Sequence, residues 1–160
     1  VDAPPTSDKA PNRMPDLPGA VLFACNMNAV RSPMAAALFR HLARSRVYVE
    51  SAGVRAGETD TFAIAAMEEI GLDIAGHRPH TITDLFDTSF DVVITLTPEA
   101  HHQALEMTRT MAVEVEYWPT LDPTLSGGSR EQIMEAYRRC RDSLLERIKA
   151  RFPFPGAPHV

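Results

Sequence analysis

The sequence predicts an α/β fold: a four-stranded parallel sheet with helices on both faces. Two observations predict it. Residues 20–24, 47–50, 90–96 and 114–117 are short apolar or β-branched runs of strand character, and segments with helical spacing and capped starts separate them. Strands that alternate with helices need crossover connections, which leave neighbouring strands parallel and helices on the faces. Ligands in such sheets bind at the carboxyl ends of strands, so the loop after the first strand is the first place to look.

Taken in order, residues 1–18 hold Pro4, Pro5, Pro11, Pro15 and Pro18 and few large apolar groups, which predicts an extended N-terminal arm. The folded domain is expected over 19–151. The continuous apolar run at 20–24 suits a strand buried on both faces. Ser32-Pro33 predicts a helix start, with Ser at the N-cap and Pro in the first turn, and Met34, Leu38 and Leu42 mark the buried face. Residues 47–50 form the second strand. Residues 61–70 read as a helix with Ala63, Met67 and Ile70 on one side, stopped by Gly71. The third strand covers 90–96. Thr97-Pro98-Glu99 repeats the cap-then-proline start and leads into a helix through about Met107, before the fourth strand at 114–117. Ser129 opens the last helix, with Gln132 completing a capping box. Ile133, Tyr137, Cys140, Leu144 and Ile148 are its apolar stripe. The tail, 152–160, carries Phe152 and Phe154, apolar enough to dock on the body.

A chain of 160 residues, 44% hydrophobic, suffices for one domain with a sizeable core. Its net charge of −5 argues against a general nucleic-acid binder. The longest apolar runs fall short of a membrane span, so no membrane partner is expected. No signal-peptide pattern opens the chain, and two cysteines, Cys25 and Cys140, make no disulfide framework; both point to a reducing, cytoplasmic compartment. No Cys or His spacing matches a zinc site, and the adjacent His101 and His102 do not face one site on a helix and read as surface residues, so neither metal nor other cofactor is expected. Gly127-Gly128 reads as a flexible turn. Arg138, Arg139 and Arg141 read as the solvated face of the last helix.

The loop Cys25-Asn26-Met27-Asn28-Ala29-Val30-Arg31-Ser32 joins a buried strand to a helix start. Free N–H groups and the helix dipole there favour an anion, and successive N–H groups in a tight loop form a concave nest for it. Arg31 adds a planar fork suited to two phosphate oxygens. A thiol at the edge of such a nest is favoured as the thiolate, the form that attacks a bound phosphoryl group. Asn26, Met27, Asn28, Ala29, Val30 and Ser32 are accordingly the candidate substrate-binding residues, with Cys25 as nucleophile and Arg31 as the group that neutralises charge on the equatorial oxygens.

Val21-Leu22-Phe23-Ala24-Cys25, followed by Arg31-Ser32-Pro33-Met34-Ala35, resembles the signature of the low-molecular-weight protein tyrosine phosphatases: apolar strand, Cys, five residues, then Arg-Ser-Pro-Met-Ala. The resemblance runs from residue 20 to about 150. It implies a hydrolase of phosphomonoesters, acting on protein phosphotyrosine or a related small phosphorylated substrate. It also implies that Asp122 of Asp122-Pro123 is the general acid, a carboxyl able to protonate the leaving oxygen and later activate water. It implies further that Asn28, Ser32, Ser51 and His77 bond together and hold the loop in shape. A small polar Asn tolerates positive φ, and Ser32 can donate to the thiolate.

Three departures stand out. Met27 replaces a usual Gly. Val30 replaces a frequent second Cys. The aromatic residues that line a phosphotyrosine slot are missing, their places reading Val54-Arg55-Ala56 and Thr124-Leu125. Missing rings predict weaker selectivity for aryl phosphates, with Met27, Trp118 or the arm as possible replacement walls. Two other functions compete: arsenate reductase of the same fold, which relays oxidation through two further cysteines and finds here only Cys140, expected in the core away from the site; and a phosphate- or phosphopeptide-binding module without turnover.

Overall fold

The computed structural model describes residues 17–85 and 87–158. The arm expected over 1–18 lies outside them except for Leu17, which packs on the core, and Pro18. Four parallel strands, β1 (Ala20–Cys25), β2 (Tyr48–Gly53), β3 (Val92–Thr95) and β4 (Glu114–Tyr117), form one sheet in the order β2-β1-β3-β4. Four helices connect and follow them: α1 (Arg31–Ala43), α2 (Thr61–Glu68), α3 (Pro98–Ala104) and α4 (Arg130–Arg151).

The sheet has a core on each side because strand side chains alternate. Val21, Phe23 and Cys25 point into the larger cluster with Met34, Leu38, Phe39, Ala63, Met67, Tyr137, Leu144 and Ile148 of α1, α2 and α4. Leu22 and Ala24 point into the smaller one with Ala100 and Ala104 of α3 and with Met107. Strand β1 is buried on both faces, as its unbroken apolar run requires. The chain leaves β1 for β2 on one side and returns to β3 on the other. That reversal opens a crevice at the carboxyl ends of β1 and β3, where Cys25 ends its strand.

Several sequence expectations shift. The second strand runs on to Gly53, and the third contracts to Val92–Thr95. Asp60 caps α2, accepting from the N–H groups of Phe62 and Ala63. Thr97 and the Ser129–Gln132 box cap α3 and α4 as expected, and beyond α3 the chain tightens into a 3-10 turn, Leu105–Arg109. Ser32 is not the cap of α1: the helix begins at Arg31, its cap position Val30 has no side-chain bond, and the Ser32 hydroxyl is bonded elsewhere.

The arginines of α4 are not all solvated. Arg141 is buried, donating to Ala66 O at 2.7 Å and Glu69 at 3.0 Å, while Arg138 bonds Glu69 at 2.8 Å. These contacts tie α2 to α4. The bond from Arg138, followed by that from Arg141, holds the Glu69 carboxyl down at about 2 against the opposing effect of desolvation. In the tail, Phe152 and Phe154 stand edge-on to Phe39 at 5.0 and 5.2 Å between ring centres, closing the larger core. Among the described residues no helix is long and apolar enough to cross a membrane, and no group of His, Cys, Asp and Glu is arranged to hold a metal ion.

Candidate active site

The loop between β1 and α1 is shaped from outside, through its carbonyls. Cys25 O accepts from Val54 N at 3.0 Å, Asn26 O from Arg55 N at 2.7 Å and Met27 O from Gly57 N at 2.8 Å. Asn28 O lies 3.2 Å from His77 Nε2, Ala29 O accepts from Asp60 N at 3.1 Å, and Val30 O from Met34 N at 3.1 Å. Every carbonyl from Cys25 to Ala29 is thus held by a segment outside the loop, and that of Val30 by the first turn of α1. A peptide whose C=O is fixed outward turns the following N–H to the opposite side, so these bonds aim the loop's amides at its centre. Residues 53–60 supply most of this rail. Gly53 is essential to it, because a Cβ there would lie 2.6 Å from Asn28 N and 2.4 Å from Arg55 O.

Asn28 holds the bend. It is fully buried with φ of 54°, a left-handed conformation that Asn adopts more readily than most residues. Its amide makes all four of its bonds. Nδ2 donates to Ser32 Oγ at 2.8 Å and Ser51 Oγ at 2.9 Å; Oδ1 accepts from His77 Nε2 at 3.0 Å and His80 N at 3.0 Å. Both Asn28 oxygens near the ring are acceptors, so His77 is the Nε2–H tautomer there. Burial lowers the pKa of His77, which keeps it neutral near pH 7 and spares this polar cluster a charge.

At the β1 end of the loop, Cys25 Sγ lies 2.9 Å from Ser32 Oγ. With Asn28 donating to that same oxygen, the Ser32 proton is free to point at sulfur or, at 3.3 Å, at Ala52 O. At the α1 end, Arg31 reaches across to the segment after β4. Its Nη1 donates to Thr120 O at 2.8 Å, and its Nη2 lies 3.7 Å from Asp122 Oδ2. The structure therefore brings together Cys25, Arg31, Ser32 and Asp122, with Asn28, Ser51 and His77 behind them. Asn26, next to Cys25, is anchored through Oδ1, which accepts from Thr97 Oγ1 at 2.6 Å. Met27 is part-exposed at the mouth, with its methyl against Gly57.

A model described as "Low molecular weight phosphotyrosine protein phosphatase" matches residues 20–151. The chain belongs to this family. Its relatives include an arsenate reductase of Shouchella clausii, 34% identical over 131 residues, which cover 81% of this chain and 91% of that protein. Another is a glutaredoxin arsenate reductase of Synechocystis, 31% identical over 130 residues, covering 81% and 92%. Among solved structures, an arsenate reductase in the phosphate-binding state is 29% identical with a TM-score of 0.66, covering 82% of this chain and 94% of that one. The YwlE arginine phosphatase with a phosphorylated active-site serine is 29% identical with a TM-score of 0.64, covering 79% and 89%. Phosphatases and arsenate reductases thus share this family's architecture.

Within that family architecture the structure corrects several readings. Trp118 is no wall of the site: it is buried edge-on against Phe23, 6.3 Å between ring centres. His101 is not a loose surface residue, since its Nδ1 lies 2.9 Å from Thr95 Oγ1 and its ring stacks on Tyr117 at 4.9 Å. Cys140 is a core residue, yet it lines a cavity of about 530 Å³ together with Asp122, nearer the candidate site than its helix position suggested. Burial pushes its thiol up to about 12, so it is protonated at neutral pH. Sequence reasoning missed the rail from Gly53 to Asp60 and the backbone N–H of His80. The only local signal was Ser51-Ala52-Gly53, where Gly marks a close backbone approach.

Proposed function

We propose that the chain is a cysteine-dependent phosphatase that hydrolyses phosphomonoesters through a phosphocysteine at Cys25. The observation that supports this reading is the Asp122 carboxyl 3.7 Å from Arg31 Nη2, at the far end of the loop that begins with Cys25: ester cleavage requires a carboxyl there that can give a proton to the leaving oxygen. The oxyanion sits among the inward amides, with Arg31 on its equatorial oxygens. The Cys25 thiolate, accepting from Ser32, attacks phosphorus. The S–P bond forms, the P–O ester bond breaks, and the Asp122 proton goes to the departing oxygen. Water then attacks phosphorus, Asp122 takes its proton, and the S–P bond breaks to release inorganic phosphate and the thiolate. Phosphorylated protein side chains or small phosphomonoesters are the substrate class.

The names of the relatives favour a second reading, arsenate reduction. Cys25 then attacks arsenate with loss of hydroxide. A second thiolate attacks the Cys25 sulfur, forming a disulfide as arsenic leaves reduced to arsenite. The one other cysteine of the chain, Cys140, is buried and protonated, so that second thiol comes from an external small molecule or protein.

One assay separates these. The protein is given p-nitrophenyl phosphate, and separately arsenate with a dithiol, alongside Cys25→Ser and Asp122→Asn. Ester hydrolysis abolished in the first variant and reduced about 10²- to 10⁴-fold in the second supports the phosphatase. Thiol-dependent arsenite release without ester hydrolysis replaces it with the reductase, and oxyanion binding without either turnover leaves a binding module.

A further inference from the structure

We infer that Thr124 is a positioning residue that decides which oxygen of Asp122 carries the catalytic proton. The inference rests on the hydrolytic reading above. Asp122 Oδ1 accepts two bonds from Thr124, one from its N–H at 3.0 Å and one from its hydroxyl at 2.7 Å. An oxygen already facing two donors is a poor seat for a proton, because the acid O–H would point at other hydrogens. The neutral acid therefore carries its proton on Oδ2, which at 3.7 Å from Arg31 Nη2 lies beyond hydrogen-bond distance of that donor. Oδ2 is thereby the oxygen turned toward Arg31, and the two bonds from Thr124 set the plane of the carboxyl.

The position itself adds weight. Pro123 fixes the backbone between the two residues, and the 3-10 turn Pro123–Leu125 places the Thr124 N–H and hydroxyl on the same carboxylate oxygen. Where the family resemblance leads one to expect an aromatic wall after Asp-Pro, this chain has a hydroxyl that grips the acid instead. That exchange gives up stacking on the substrate and gains orientation of the proton donor.

The simpler reading is that Thr124 only closes the turn. The two roles part in their dependence on leaving group. A displaced acid harms esters whose leaving oxygen needs a proton and spares those whose leaving group departs as a stable anion. The experiment compares kcat/KM for phenyl phosphate and 2,4-dinitrophenyl phosphate in the wild type, Thr124→Val, Thr124→Ser, Thr124→Ala and Asp122→Asn. Thr124→Val and Thr124→Ala are expected to lose about tenfold on phenyl phosphate while staying within twofold on the dinitrophenyl ester, a smaller version of the Asp122→Asn pattern. Thr124→Ser, which keeps the hydroxyl, restores both. Equal losses on the two esters, or full phenyl phosphate turnover in both hydroxyl-less variants, overturn the role of Thr124 alone. A wild type that hydrolyses neither ester overturns it together with the phosphatase reading.

Discussion

Gly53→Ala would push one methyl group into the back of the oxyanion loop. The added Cβ would lie 2.4 Å from Arg55 O, 2.6 Å from Asn28 N and 2.8 Å from Met27 C. All three are backbone atoms, so no side chain can rotate away; the rail and the loop must separate. Reaching ordinary contact from 2.6 Å at Asn28 N moves the loop by about 1 Å, and a misplacement of that size at reacting groups costs on the order of 10²-fold in rate. The crowding itself costs about 1–3 kcal/mol, against a typical domain stability of about 5–15 kcal/mol, so the variant should still fold. The measurements are kcat/KM on an aryl phosphate, the urea midpoint, and phosphate binding by calorimetry. Activity and phosphate affinity should fall together, far beyond the loss in stability. A folded Gly53→Ala protein that keeps kcat/KM within threefold of wild type would refute the argument that the rail sets the geometry of the cradle.

Three further outcomes follow from the same geometry. Asn28→Ala removes four hydrogen bonds, two of them fully buried, and leaves alanine at φ 54°, which should lower stability by about 3–5 kcal/mol in urea unfolding; a loss under about 1 kcal/mol would contradict the central place given to this residue. Burial lowers the His77 pKa, so the unfolded chain binds a proton that the folded one resists, and stability should fall as pH drops below about 6.5. His77→Gln keeps a donor without the titration and should shrink that slope in thermal melts between pH 7 and 5. Iodoacetate at pH 7 should label Cys25, slowed by phosphate, and leave Cys140 unlabelled because its thiol is pushed up to about 12; mass spectrometry of the labelled peptides reads the result.

Most of the fold was legible because its signals are local. The apolar run of β1, the Thr97-Pro98 start and the Ser129–Gln132 box each specify an element from a few neighbouring residues. Ser32 misled for a physical reason: a Ser before Pro is a good cap, but here its hydroxyl is drawn to Cys25 and Asn28 instead. Arg141 misled because, besides its neighbour Asp142, it is held by Glu69 and Ala66 O, more than 70 positions away, which no helical period reveals. The candidate site was readable as a set of side chains. Its backbone scaffold was not, since hydrogen bonds from residues 53–60 and 80 to the loop depend on chain path and leave almost no mark on residue type.

A loop whose carbonyls from Cys25 to Ala29 are tethered by other segments has the shape of a mould for a tetrahedral anion. On the proposed reading it would recognise shape and charge, which phosphate and arsenate share almost completely. Such a receptacle has little means of choosing between them at entry. The choice falls later, on what reaches the sulfur adduct first: an activated water that restores the starting thiolate, or a soft sulfur donor that draws two electrons through it. On the proposed reading, selection in this architecture is a race between incoming nucleophiles.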